Sequence, residues 1–249
     1  MWLSYEFFTE ELTDNKGKAL SYQPTVNAET VIHETGHALG LDDYYDYNND
    51  DVETGGFGGG IMQDTNVGDH DAFSKALFGW INPTIVINKD AELTIESLAK
   101  VEGADVDKKA IFIAKDYNGV YFNEFYIVYL YTPTGVNEMM KGNSGLPTET
   151  GVMIIHAVAN PKADESGIVS IWDVYEASNG NKDNMLLTVV EADGNSSIAQ
   201  NDYLANSDLW QANGKLTNVK WADGSNAGFT IEVKSIANGE ATIVIDFAE

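Results

Sequence analysis

His33, Glu34 and His37 are of the residue types that bind a metal ion and use it, and their spacing in "VIHETGHALGLDDYYD" suits that work. On a helix, histidines four apart place both imidazoles on one side, one turn apart, where they can share one cation. Glu34 follows His33 directly and is rotated from it by about 100°. It cannot easily ligate the same ion, but it can reach a water held there. That arrangement serves metal-assisted hydrolysis. The cation acidifies a water, and the carboxylate removes the proton and later delivers it to the leaving amine.

Such a site needs a helix to carry it. Asn27 suits the N-cap and Glu29 suits the first turn. Val31, Ile32, Thr35, Gly36 and Leu39 supply a mostly apolar side, and Gly40 suits a left-handed terminator. A second helix is predicted from about Asp69 to Leu77, starting near His70 and closed by Gly79. Beyond Pro83 the pattern changes to strands. "TIVIN", "AELTIESL", "AIFIA", "YFNEFYIVYLY", "GVMIIHAV", "MLLTVVEA", "GFTIEV" and "ATIVIDF" are rich in β-branched and aromatic residues, with Gly, Asn and Asp turns between them. The expected class is α+β, with a site-bearing region at 1–83 and an all-β, sandwich-like region at 84–249 packed against it.

The HExxH run continues. In metzincins the zinc helix breaks at a glycine, and the chain turns back to offer a third ligand. Here Gly40 makes the break and Asp43 fills the ligand position, giving HExxHxxGxxD. Aspartate is a competent zinc ligand. Metzincins also carry a methionine turn beneath the metal, and "GGGIMQDT" offers Met62 for it. "HETGHALGLDDYYD", "GGFGGGIMQD" and "GDHDAFSKALFGWINP" then follow in the order of the immune inhibitor A type of secreted bacterial metallopeptidase. The last segment ends with Lys75, Gly79 and Trp80 in that family's K-x-x-x-G-W pattern. "NEFYIVYLY", "GVMIIHAV", "LLTVVEADG" and "NDYLANSDLW" follow in similar order. The chain thus resembles this family over most of its length.

The resemblance implies a metzincin-like C-terminal catalytic portion followed by a β domain. It implies an extracellular zinc endopeptidase acting on protein or peptide, with His33, His37 and Asp43 as ligands and Glu34 as general base. It also implies stiffening calcium sites and a larger region upstream of the zinc helix than the 32 residues that precede His33. A rival expectation, of another class, is a non-catalytic module whose β region contacts protein or glycan.

Composition narrows the field. The net charge is -25 and the basic residues are all lysine, so phosphate backbones and anionic membranes are repelled. Nucleic acid is therefore not an expected partner, and no apolar run is long enough for a transmembrane segment. The absence of cysteine rules out thiolate zinc sites and cysteine nucleophiles. No signal peptide is legible in "MWLSYEFFTEEL". Dense oxygen ligands suit calcium. Asp42, Asp46 and Asp50 are candidates for it, and "EADGN" (Glu191 to Asn195) with Asp202 and Asp208 is a second group. Asx turns are the plainer reading of that second group. Tyr44 and Tyr45 are candidates for the cleft, with packing as the plainer reading. His156 reads as a hydrogen-bonded core histidine, and Thr54 to Gly60 lacks the Lys-Ser or Lys-Thr of a phosphate loop.

Overall fold

The computed structural model describes residues 28–45, 62, 68–139, 146–163, 166–167, 174–179, 184–195 and 204–248, with side chains from Val31 onward. The fold is mixed α+β, mostly sheet with few helices.

One strand organises the rest. β4 (Glu124–Tyr131, EFYIVYLY) is apolar without alternation, as a strand covered on both faces must be. Its Phe125, Ile127, Tyr129 and Tyr131 point into one core with Phe73, Ala76, Tyr44 and Met62. Its Tyr126, Val128 and Leu130 point into another core with Ile231, Val233, Ile243 and Ile245. β4 therefore lies in the middle layer of three.

That middle layer is a five-stranded sheet in the order β1-β3-β4-β5-β6. Its other members are β1 (Thr84–Val86), β3 (Ala110–Ala114), β5 (Gly151–Val158) and β6 (Leu187–Val189). β1 runs parallel to β3 and the remaining pairs are antiparallel. A parallel pair needs a crossover between its strands. Here the crossover contains β2 (Ala91–Glu96), which belongs to the second sheet.

The second sheet has the order β2-β9-β8-β7 and is antiparallel throughout. Its other strands are β7 (Lys215–Leu216), β8 (Phe229–Ala237) and β9 (Glu240–Phe247). Asn238 and Gly239, at φ 54° and 78°, join β8 to β9 in the two-residue turn that suits a twisted hairpin.

The third layer carries α1 (Ala28–Leu39) and α2 (Ala72–Leu77); a short helix α3 (Val136–Met139) follows β4. Each of the eight segments expected as strands contains one, and among the described residues only the two-residue β7 lies outside those segments. α2 begins at Ala72 and not at Asp69, because the Asp71 carboxylate accepts from the Phe73 and Ser74 N–H groups and so caps it. No helix among the described residues is long and apolar enough to cross a membrane.

Candidate metal centre

α1 ends as its sequence requires. Gly40 takes φ 103°, and Leu41 N–H closes a bond of 3.0 Å onto the Gly36 carbonyl. This is the left-handed helix stop that glycine permits. The reversal sends Leu41 into the core and brings Asp43 back against the Nε2 atoms of the two histidines.

Asp43 Oδ1 lies 3.0 Å from His33 Nε2 and 3.2 Å from His37 Nε2. One ligand atom from each of the three residues falls within 4.8 Å of the others. The Asp43 side chain is only 5% exposed, yet Oδ1 has no partner in hydrogen-bonding geometry. An ion holding nitrogen and oxygen at about 2.0–2.1 Å would space tetrahedral ligands about 3.4 Å apart, close to what is seen.

Electrostatics agree. The Asp43 carboxylate is the main cause of the rise of His37 from 6.5 to about 9, against the opposing effect of burial. Burial pushes Asp43 upward, but the two imidazoles beside it outweigh that and hold it at about 2. The raised basicity of His37 and the lowered basicity of Asp43 make the two a charged pair near neutral pH. The His37 Nδ1–H donates to the Leu41 carbonyl at 2.8 Å, which leaves Nε2 as the lone pair facing Asp43 in the neutral ring. A backbone carbonyl of this kind fixes the tautomer of a ligating histidine.

The helix rests on a fitted seat. A Cβ on Gly36 would lie 2.5 Å from Met62 Sδ and 3.2 Å from His70 Cε1. Met62 is buried, and its carbonyl accepts the Tyr44 N–H at 2.8 Å, tying the seat to the loop that carries Asp43. His70 is buried against Phe78 and Trp80, with ring centroids 5.8 and 5.7 Å away. Burial lowers its basicity, so the ring beneath the helix is biased toward its neutral form.

Glu34 stands beside His33 on α1, half-buried, and its charge adds to the rise of His37. Tyr45 is half-buried and roughly parallel to the His33 ring at 6.4 Å. Tyr44, a candidate for the cleft, is instead fully buried in the core. Its hydroxyl meets Ser74 Oγ at 3.1 Å, and that hydroxyl donates to Asp71 Oδ2 at 2.7 Å. Adjacent residues on an extended chain point to opposite sides, so seating Asp43 toward the histidines sends Tyr44 inward. Asp42 is exposed, and Asp46 and Asp50 lie outside the described residues.

Elsewhere, Glu191, Asp193 and Asp208 bring carboxylate oxygens within 4.8 Å of one another, and Asp202 lies outside the described residues. Burial and the two neighbouring carboxylates raise Asp208. Its oxygens already accept from the Ala205 N–H and the Ser207 hydroxyl. His156 pairs with Glu124 at 2.6 Å and stacks on Tyr126. His70, the Leu41 carbonyl and the Asp71–Ser74 pair are the supports that sequence reasoning missed or misplaced; the aspartate two residues before Phe73 was the one local signal, as a helix cap. No family model matches the chain, and no curated protein matches it.

Proposed function

We propose that the chain is an extracellular zinc-dependent endopeptidase of the immune inhibitor A type. The observation that carries this reading is the convergence of His33 Nε2, His37 Nε2 and Asp43 Oδ1 on one point. His33 Nε2, His37 Nε2 and Asp43 Oδ1 would hold the ion. When bound, zinc supplies Lewis acidity toward a peptide carbonyl and toward water.

The rest falls to the chain's own residues. Glu34 takes a proton from the attacking water and returns it to the departing amine nitrogen. Its place next to His33 keeps it within reach of that water without competing for the ion. The Leu41 carbonyl holds His37 in the tautomer that presents Nε2. Gly36, Met62 and His70 hold the helix at a constant height beneath the site.

Casein digestion and zinc content, measured on the same Glu34→Gln preparation, test the reading. The variant should retain zinc and lose cleavage by at least about 100-fold, the scale of general-base catalysis. Parent-like cleavage by the variant, or parent protein that takes up no zinc, would overturn it.

A further inference from the structure

Asp43 stands on a short loop, and a loop aims a ligand only as well as the loop itself is held. Before Asp43, the Leu41 N–H is fixed on the Gly36 carbonyl. After it, the Tyr44 N–H is fixed on the Met62 carbonyl and the Tyr44 hydroxyl on Ser74. The Tyr44 carbonyl is met from 135 residues further along the chain: Asn179 Nδ2 donates to it at 3.2 Å.

Asn179 is only 1% exposed, and its amide is anchored before it reaches the loop. Nδ2 donates its other hydrogen to the Leu187 carbonyl at 3.0 Å, and Oδ1 accepts the Leu187 N–H at 2.9 Å. Leu187 opens β6, an edge strand of the five-stranded sheet. On β6 the Leu186 carbonyl accepts from Val158 and the Val190 N–H donates to Ile154, so the even-numbered residues turn their backbone groups to β5. Leu187 therefore turns its own N–H and carbonyl outward. The Asn179 amide pairs with both, as a residue of a further strand would. That double pairing fixes the plane of the amide and which end carries the hydrogens.

The segment around Asn179 is pinned as well. Tyr175 bridges to Pro161, the Ser178 N–H donates to the Asn184 carbonyl at 2.9 Å, and Ala177 is buried in the core that holds Tyr44. Burial pushes the Tyr175 hydroxyl up and the charge of Asp42 adds to the rise, which sets this segment beside the loop at a second point.

We propose that Asn179 is a positioning residue for the third zinc ligand, tying the loop that carries Asp43 to the edge of the central sheet. The inference rests on the zinc reading of the site. With the Tyr44 N–H on Met62 and the Tyr44 carbonyl on Asn179, the peptide planes on both sides of Tyr44 are set. Asp43 Oδ1 is then kept between His33 Nε2 and His37 Nε2. Position 179 calls for two donors and one acceptor in a single plane, which an asparagine amide supplies. An aspartate of the same shape would set a carboxylate against two carbonyl oxygens, and a leucine would fill the space and leave three backbone groups without partners.

The test measures zinc affinity, by competition with a chelator, and Tm on the full chain. The set is the parent, Asn179→Asp, Asn179→Leu and Ile243→Val, the last a loss of one methyl group in the far core. Both Asn179 variants should bind zinc about tenfold more weakly, the lower end of what loss of an outer support costs. Ile243→Val should lower Tm by about 2–4 °C and leave zinc affinity within about twofold. Asn179 variants that behave in the same way, with a lower Tm and parent-like zinc affinity, would overturn the proposal and leave the zinc reading standing. A parent that takes up no zinc would overturn both. A second measurement needs only the parent. In ¹H–¹⁵N spectra, zinc should shift the side-chain amide of Asn179 to saturation and leave in place that of Asn184, which donates to the Glu176 carbonyl in the same segment. An Asn179 amide that stays still while zinc binds would overturn the proposal.

Discussion

Met62 Sδ occupies the space that a β-carbon on Gly36 would need: the two would be 2.5 Å apart. Gly36 is therefore present for the approach of a sulfur and an imidazole, not for backbone freedom. Gly36→Ala should destabilise the protein by about 1–3 kcal/mol, the scale of overpacking in a close-packed core, and should weaken zinc binding as the helix is pushed off its seat. Thermal melting with and without zinc measures both effects. Adding Met62→Val should recover part of the loss. No recovery would mean that the two residues do not press on each other.

The two aspartates after the helix should behave differently. Asp43 faces both imidazoles, whereas Asp42 is exposed. Asp43→Ala should weaken zinc at least about 100-fold, beyond what loss of an outer support costs, while Asp42→Ala should stay within about threefold. A competitive chelator titration separates them, and equal losses would remove Asp43 from the ligand set.

Zinc affinity should rise with pH. His37 is raised to about 9, so below that value binding must displace its proton. Each proton displaced gives about a tenfold gain in affinity per pH unit, seen by calorimetry between pH 6 and 8. Stability of the metal-free protein follows the same pair. The raised His37 contributes fully below 6.5, and its contribution is lost as pH rises through about 9. The lowered Asp43 contributes fully above 3.8, and its contribution is lost as pH falls through about 2. A zinc affinity independent of pH would show that no proton is displaced.

Tyr44 tests anchoring against substrate contact. Its hydroxyl meets Ser74 and its ring lies in the core. Tyr44→Phe should cost about 1 kcal/mol of stability, the net worth of one buried hydrogen bond. The KM for a peptide substrate should not move. A changed KM with unchanged stability would return Tyr44 to the cleft.

The parts of this molecule that are legible in its sequence are the local ones. The histidine spacing, the glycine break and the residue three beyond it all act within one turn of helix and one reversal of chain, so His33, His37 and Asp43 converge as their order implies. The strands announce themselves through β-branched and aromatic runs, and the double-sided burial of β4 is visible in "EFYIVYLY". What is hidden is the pairing. β2 lies between β1 and β3 in the chain but in a different sheet, and nothing in "AELTIESL" says so. His70 and Met62 meet Gly36 only through tertiary packing, so neither role has a periodicity to betray it. β7 is too short for a pattern.

Because β4 presents alternate residues to two cores, the layer that carries the histidines and the sheet beyond β4 lean on the same strand. Peeling away β8 and β9 would leave Tyr126, Val128 and Leu130 bare on the strand that supports Phe73 and Tyr44 from its other side. Melting is then a shared event: the loop that aims Asp43 gives way when the far sheet does, and a ligand that steadies either end steadies both.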